Sequence, residues 1–286
     1  MSAVLYDVPG PRGRRRGIVG TVLGTVLVLA VLGLVLRQFE RSGQFVAEYW
    51  TPFLDPGIQR LLLRGAGATL TAAATSILLA VPLGVLLAAG RLSDHAALRV
   101  PVTLFVEFFR AIPLLLLILF IFLGFGADVG RFGSLVLALA LYNGSVLSEI
   151  FRAGIAAVPR GQSEAGYAVG MRKTQVMRAI LVPQARRIML PAIVSQCVVT
   201  LKDTSLGYVI SYTIGGHEEL LRAGQLIYNN HGNIVPTIIV IAAIYIAMNS
   251  ALSAFASYLQ RRSSRTGKAT PADLTTALVA ANRDLV

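Results

Sequence analysis

An all-α, polytopic membrane protein with six transmembrane helices is what this sequence predicts. Three observations carry that prediction. Of 286 residues, 55% are hydrophobic and only 14% are charged, where an average soluble domain has about 25% charged. Apolar runs long enough to span a bilayer, about 20 residues, recur along the chain. These runs are continuously apolar rather than alternating, so they read as helices and not as barrel strands. One soluble core could not hide that much apolar surface.

Taken in order, residues 1–16 form a short tail rich in Pro, Gly and Arg, expected to be mobile up to the membrane. The first span runs near Gly17–Leu36. It follows basic residues as a signal peptide would, but it is of span length and runs on into Arg37-Gln38-Phe39-Glu40-Arg41 without a small-x-small cleavage site, so it is expected to stay as an anchor. Residues 37–64 make the longest external loop, with Tyr49, Trp50 and Phe53 suited to an interfacial belt. The remaining spans are expected near Gly65–Ala89, Val100–Gly124, Phe132–Ile150, Met189–Tyr212 and Val235–Leu259, with a polar tail at 260–286.

The net charge of +12 is a topology signal. With the N-terminus inside, Arg12, Arg14, Arg15, Arg16, Arg91, Arg99, the Arg152–Arg187 loop and the C-terminal tail hold most of the 26 lysines and arginines. Such a bias orients a membrane protein with both termini in the cytosol, and it removes the case for nucleic acid. The single cysteine, Cys197, lies in an apolar span and reads as a small buried hydrophobe. His217 and His231 have no metal-ligand spacing, so no metal site is expected. Gly20-x-x-x-Gly24 fits a close-packing motif, yet chance accounts for it better, glycine being common in spans. Pro82, Pro113 and Pro191 are expected to kink or start helices. The polar external loop around Ser211–Asn233 carries a turn at Gly215-Gly216.

Between the fourth and fifth spans lies a cytosolic connection from Arg152 to Arg187, too long for a simple turn. Gln162–Val169 can form a short helix, with Ser163 as cap and Gly170 as terminator. Such a helix, held out in the cytosol with little of its own chain to bury against, is expected to dock into another protein.

This segment carries a family resemblance. Glu164-Ala165-Gly166, then Gly170, then Ile180-Leu181-Val182-Pro183 resemble E-A-A-x3-G-x9-I-x-L-P, the coupling motif of bacterial ABC importer permeases, with Gly166 and Val182 as departures. Arg110-Ala111-Ile112-Pro113-Leu114-Leu115, Gly161-Gln162-Ser163-Glu164, Pro183-Gln184-Ala185 and Lys202-Asp203-Thr204-Ser205-Leu206 resemble the polar amino-acid branch. The resemblance spans roughly residues 65–259, so the first helix and its loop (17–64) are an addition to a five-span core. The opening Val4-Leu5-Tyr6-Asp7-Val8-Pro9-Gly10-Pro11 and Tyr142-Asn143-Gly144-Ser145 are similar to the six-span permease of bacterial glutamate importers.

The resemblance implies a MetI-like, type I importer core in a bacterial plasma membrane, moving glutamate or a related polar amino acid. Its implied partners are a dimer of ATPase subunits, a second permease (a homologous sister chain) and an extracytoplasmic binding protein. In the family the short helix, near 162–170, enters a cleft on the ATPase. Gly161, Gln162, Glu164, Ala165, Gly166, Gly170 and Pro183 are the expected coupling residues: Glu164 offers a carboxylate, Ala165, Gly166 and Ala168 permit close approach, and Gly170 permits chain reversal.

Charges inside a span are costly, about 2.5–3.5 kcal/mol at a helix centre. Glu107 with Arg110, and Glu149 with Arg152, stand three apart and can pair along one helix face. Lys202 and Asp203, adjacent and so about 100° apart around a helix, cannot neutralise each other. Two readings stand side by side: with Thr204, Ser205 and Arg110 they line the translocation path or its gate, or they form an inter-helix ion pair. No phosphate-binding loop is present, since Tyr167 and Arg172 occupy the glycine positions ahead of Lys173-Thr174. ATP and Mg²⁺ are therefore expected on the partner ATPase, with no cofactor on this chain, and no catalytic constellation marks it as an enzyme. A stand-alone secondary transporter leaves the docking segment unexplained. An intramembrane enzyme would have only Glu149, Lys202 and Asp203 to work with.

Overall fold

The computed structural model describes residues 10–265. The opening stretch through Pro9 and the tail from 266 onward lie outside the described residues. Helix α1 (Pro11–Arg41) is followed by two short 3₁₀ turns, α2 (Pro56–Arg91), α3 (Ala96–Ala111) and α4 (Leu114–Ala156). Then come α5 (Arg160–Ala168), the single turn α6 (Lys173–Gln175), a π-helical stretch Val176–Leu181 and α7 (Val182–Asp203). A 3₁₀ segment Thr204–Ile210 leads into a two-stranded antiparallel hairpin, β1 (Thr213–Ile214) with β2 (His217–Glu218). Helices α8 (Leu220–His231) and α9 (Ile234–Arg265) complete the described chain.

Among the described residues, four helices are long and apolar enough to cross a membrane: α1, α2, α4 and α9. Two of the six expected spans come out differently. The third, Val100–Gly124, is not one helix. Ile112 and Pro113 take extended backbone (ψ 130° and 126°) between α3 and α4, because a proline pushes the residue before it out of helical geometry. The fifth begins earlier than expected, at Val182, and loosens after Asp203 into the 3₁₀ segment. Arg186 and Arg187 near its start and Lys202 and Asp203 at its end put charge at both ends of α7. At 43 residues α4 is longer than one crossing requires. Gly130 breaks it with φ 69° and ψ 172°, a conformation glycine adopts without steric cost. Leu117, Ile118 and Ile121 before the break share a buried cluster with Leu135, Ala138 and Leu139 after it, so the chain turns back there.

Small residues set the packing of the bundle. Ala68, Ala72, Ser76, Ala80, Gly84 and Ala88 recur every fourth position on α2, and all are buried. That stripe lets α4 approach closely. A Cβ on Gly84 would lie 2.8 Å from the Leu147 Cβ and 3.0 Å from the Gly144 carbonyl oxygen, and one on Gly144 would lie 2.9 Å from Leu83. Asn143, beside that crossing, is fully buried. It donates to the Leu139 carbonyl and accepts from Gln196 Nε2 at 2.7 Å, tying α4 to α7. This is the structural content of the Tyr142–Ser145 stretch.

Helix α1 stands clear of the bundle, with Arg12 through Gln38 exposed throughout. Nothing approaches the positions a Cβ would take on Gly20 and Gly24. Its connection to α2 is tied down, however. Asn233 Nδ2 donates to the Tyr49 carbonyl (2.9 Å) and Val235 N donates to Gln44 Oε1 (3.2 Å). The hairpin tip is Gly215-Gly216, both with positive φ, as expected. The Glu219 side chain caps α8, accepting from the backbone N–H of Leu221 (2.8 Å) and Arg222 (2.6 Å), while Gly232 closes it with φ 68°. Burial pushes the Glu219 carboxyl up to about 7, although those two N–H groups oppose the shift.

Candidate coupling site and membrane cavity

The helix α5 that carries the docking motif starts two residues earlier than expected. Pro159, not Ser163, occupies its N-cap, without a side-chain cap. Ser163 lies inside the helix and donates back to the Arg160 carbonyl at 2.8 Å. The expected stop is in place: Gly170 has φ 79°. Its N–H donates to the Tyr167 carbonyl (2.9 Å), and Met171 N–H donates to the Gly166 carbonyl (3.1 Å). That pair of bonds is the Schellman arrangement, which a glycine in left-handed geometry permits.

The residues of the motif divide between two faces. Gly161, Glu164, Ala165 and Ala168, at spacings of three, four and seven, are all exposed and form one stripe: three small residues around a single carboxylate. Gly166 points the other way and is the one buried residue of α5. A Cβ there would lie 2.8 Å from Ile180 Cδ1 and 2.9 Å from Val176 Cγ2. So the expectation that α5 has little of its own chain to bury against is corrected. Its inward face rests on the π-helical stretch, and the departure from alanine at Gly166 serves that close seat. The flanking motif pieces also meet: Gln184 Nε2, after the exposed Pro183, donates to Gln162 Oε1 at 3.1 Å.

Both expected helix-face ion pairs form, Arg110 with Glu107 at 3.4 Å and Arg152 with Glu149 at 2.5 Å. The sequence did not show that Arg91 joins them. Its Nη1 lies 2.7 Å from Glu149 Oε2 and its Nη2 3.3 Å from Glu107 Oε1, with the Arg91 side chain only 9% exposed. From the sequence Arg91 is one more charge of the cytosolic side. At the C-terminus of α2, where a cation suits the helix dipole, it links α2 to α3 and α4. Lys173, which belongs to no phosphate loop, has a structural partner of its own. Its ammonium pairs with Asp94 and donates to the Leu92 carbonyl at 3.1 Å. The hydrogen bond from Lys173 holds the Asp94 carboxyl below its usual range.

Lys202 and Asp203 are the last two residues of α7, not mid-span as expected. Lys202 and Ser205 line a cavity of about 450 Å³ with Tyr245, Ile246, Asn249 and Ser250 of α9. Neither Lys202 nor Asp203 joins an ion pair among the described residues. Thr204 is buried, its hydroxyl committed to the Leu201 carbonyl at 2.7 Å. Asp203 is half-buried, and Arg110 belongs to the ion-pair cluster. None of these three lines the cavity. Sequence reasoning missed Tyr245 and Asn249, whose buried Oη and Oδ1 have no hydrogen-bond partner among the described residues. Polar residues in an otherwise apolar span were the available signal.

The comparisons agree with this architecture. Residues 80–265 match the family model described as binding-protein-dependent transport system inner membrane component. The glutamate transport system permease protein GluD of Corynebacterium glutamicum is 39% identical over 228 residues, covering 77% of this chain and 82% of that protein. The glutamate/aspartate import permease protein GltK of Escherichia coli is 34% identical over 212 residues, covering 70% of this chain and 92% of that protein. Among solved structures, a crystal structure of an amino acid ABC transporter with histidines superposes with a TM-score of 0.66 at 30% identity. It spans 71% of this chain and 94% of that one. The inward-facing MetNI methionine ABC transporter, at 20% identity and a TM-score of 0.62, shares the fold over 73% of this chain and 99% of that one. A multi-pass helical bundle, an outward stripe on α5 and these matches over most of the chain lead to one assignment. The chain belongs to the family of binding-protein-dependent transport system inner membrane components, as a permease subunit of an ABC importer whose ATP is hydrolysed by a separate subunit.

Proposed function

We propose that this permease carries glutamate or a related polar amino acid, and that the exposed stripe Gly161-Glu164-Ala165-Ala168 is its seat on the ATPase. In this reading α5 lies in the cytosol with both termini of the chain, in a bacterial plasma membrane. A homologous sister chain completes the pore, and an extracytoplasmic binding protein delivers the substrate. ATP and Mg²⁺ are held by the ATPase dimer. The observation that carries the reading is the two-faced α5. Its inward face, through Gly166, is seated on Val176 and Ile180, while its outward face offers small residues and one carboxylate. A helix fixed on one side and bare on the other passes a push from a partner into α7.

The cavity between α7 and α9 is the part of the bundle best suited to a zwitterion. Lys202 offers a cation and Ser205 a hydroxyl, and Tyr245 and Asn249 line the same space. Glutamate matches the names of the relatives above, and selectivity rests largely with the binding protein. The test is uptake of labelled glutamate, glutamine and aspartate into liposomes bearing the purified complex, with ATP inside. Uptake that needs ATP and the binding protein supports the reading. ATP-independent uptake by this chain alone overturns it.

A further inference from the structure

We infer that the turn joining α2 to α3, residues 91–95, is a second point at which motion of α5 enters the bundle. This rests on α5 being the ATPase seat. The turn is gripped from both flanks of that helix. On the upstream flank, Glu149 of α4 holds Arg91 at 2.7 Å, seven residues before α4 ends at Ala156. On the downstream flank, Lys173 of α6 pairs with Asp94 and donates to the Leu92 carbonyl. That carbonyl is one of the last of α2, a position where a cation also suits the helix dipole.

The connections behind these two grips are continuous. From α5, Gly166 packs on Val176 and Ile180, in the stretch that directly follows α6. Lys173 then reaches the turn, and Arg91 carries the link on to Glu107 of α3 and Glu149 of α4. An exposed pair such as Lys173–Asp94 is weak alone. Here the ammonium has two acceptors on one turn, and an almost fully covered guanidinium anchors that turn from behind. A push on α5 therefore moves the α2–α3 turn along with α7, rather than bending the loop between them. Arg91 and Lys173 are positioning residues, with no contact to the cavity.

The test compares labelled glutamate taken up per ATP hydrolysed, in liposomes holding the complex purified with its ATPase. Lys173→Met is expected to lower that ratio a few-fold, and Arg91→Met with Lys173→Met about tenfold, the range of ordinary inter-site coupling. ATP hydrolysis per folded complex should stay near its starting value, and the ratio is taken on the folded fraction, which Arg91→Met lowers. Arg91→Lys and the swap Lys173→Asp with Asp94→Lys should restore most of the ratio, which a merely structural loss would not allow. An unchanged ratio in the double variant overturns the inference. So does a fall that follows the amount of folded chain and is not rescued by the swap. Gly170→Val, run alongside, separates the two readings. If it uncouples and the turn variants do not, only the turn loses its role. If it too leaves the ratio unchanged, the docking of α5 itself falls.

Discussion

Arg91 Nη1 lies 2.7 Å from Glu149 Oε2, and through that contact the end of α2 is fastened to α4. The same guanidinium reaches Glu107 of α3 at 3.3 Å. Three helices thus meet on one cation that water hardly touches. Removing it leaves two carboxylates facing each other without a shared counter-charge, which is worse than never having placed them there. Arg91→Met should lower the stability of the detergent-solubilised chain by about 1–3 kcal/mol, and Arg91→Lys by less. Thermal unfolding of both variants beside the parent checks this.

Gly84 and Gly67 lie on the same helix but face different surroundings. A Cβ at 84 meets the Leu147 Cβ and the Gly144 carbonyl, whereas nothing lies within 4 Å at 67. Gly84→Ala is expected to push α4 away and cost about 1–3 kcal/mol. Gly67→Ala should be neutral or mildly stabilising, since alanine favours helix over glycine by about 1 kcal/mol. Equal melting temperatures for the two variants would contradict the proposed close crossing.

Gly170 holds φ 79° at the end of α5, and an L-residue there costs about 1–2 kcal/mol, more if β-branched. Gly170→Val should loosen the Schellman closure and uncouple ATP hydrolysis from uptake, leaving the chain in the membrane. Gly166→Ala should already cost part of the coupling, because its Cβ would meet not only the movable Ile180 Cδ1 but also Cγ2 of the buried, β-branched Val176 at 2.9 Å. Gly166→Leu should lift α5 from Val176 and lose coupling. The ratio of uptake to hydrolysis, measured for all three, distinguishes these effects.

How much of this was legible beforehand depended on range. The positions of the first, second, fourth and sixth expected spans, the Glu107–Arg110 and Glu149–Arg152 pairs and the Gly170 stop follow from local periodicity and short spacings, and sequence carries those directly. The breaks after Ala111 and Asp203 were missed because hydropathy continues through them while the backbone does not. Pro113 is the local signal of the first break, since it forces Ile112 out of helical geometry. Arg91 and Lys173 were out of reach for another reason. Their partners are 58 and 79 residues away, and no local pattern says which distant carboxylate a surface cation will meet. The stripe of small residues at every fourth position of α2 was present in the sequence, hidden by a hydropathy scale on which alanine is merely apolar.

Glu219 gives the chain a pH dependence of known sign. Burial pushes its carboxyl up to about 7 from the ordinary 4.5, so the folded chain keeps a proton that the unfolded chain has released. The stabilisation this brings is complete below about pH 4.5 and is lost as pH rises through about 7. Glu219→Gln should flatten the change in melting temperature between those limits. It keeps one acceptor for the α8 cap, so the helix should survive. A parent protein that becomes steadily more stable across that interval would contradict the burial of this group.

The central claim is that α5 presents its Glu164 side, not its Gly166 side, to the ATPase. Single cysteines at 164, 165 and 166 in a Cys197→Ser background, oxidised in the intact complex against a cysteine in the ATPase cleft, test it most directly. Cross-linking through Glu164→Cys and Ala165→Cys, with Gly166→Cys unreactive, is the predicted result. A cross-link through Gly166→Cys alone, or none at any of the three positions, would contradict it.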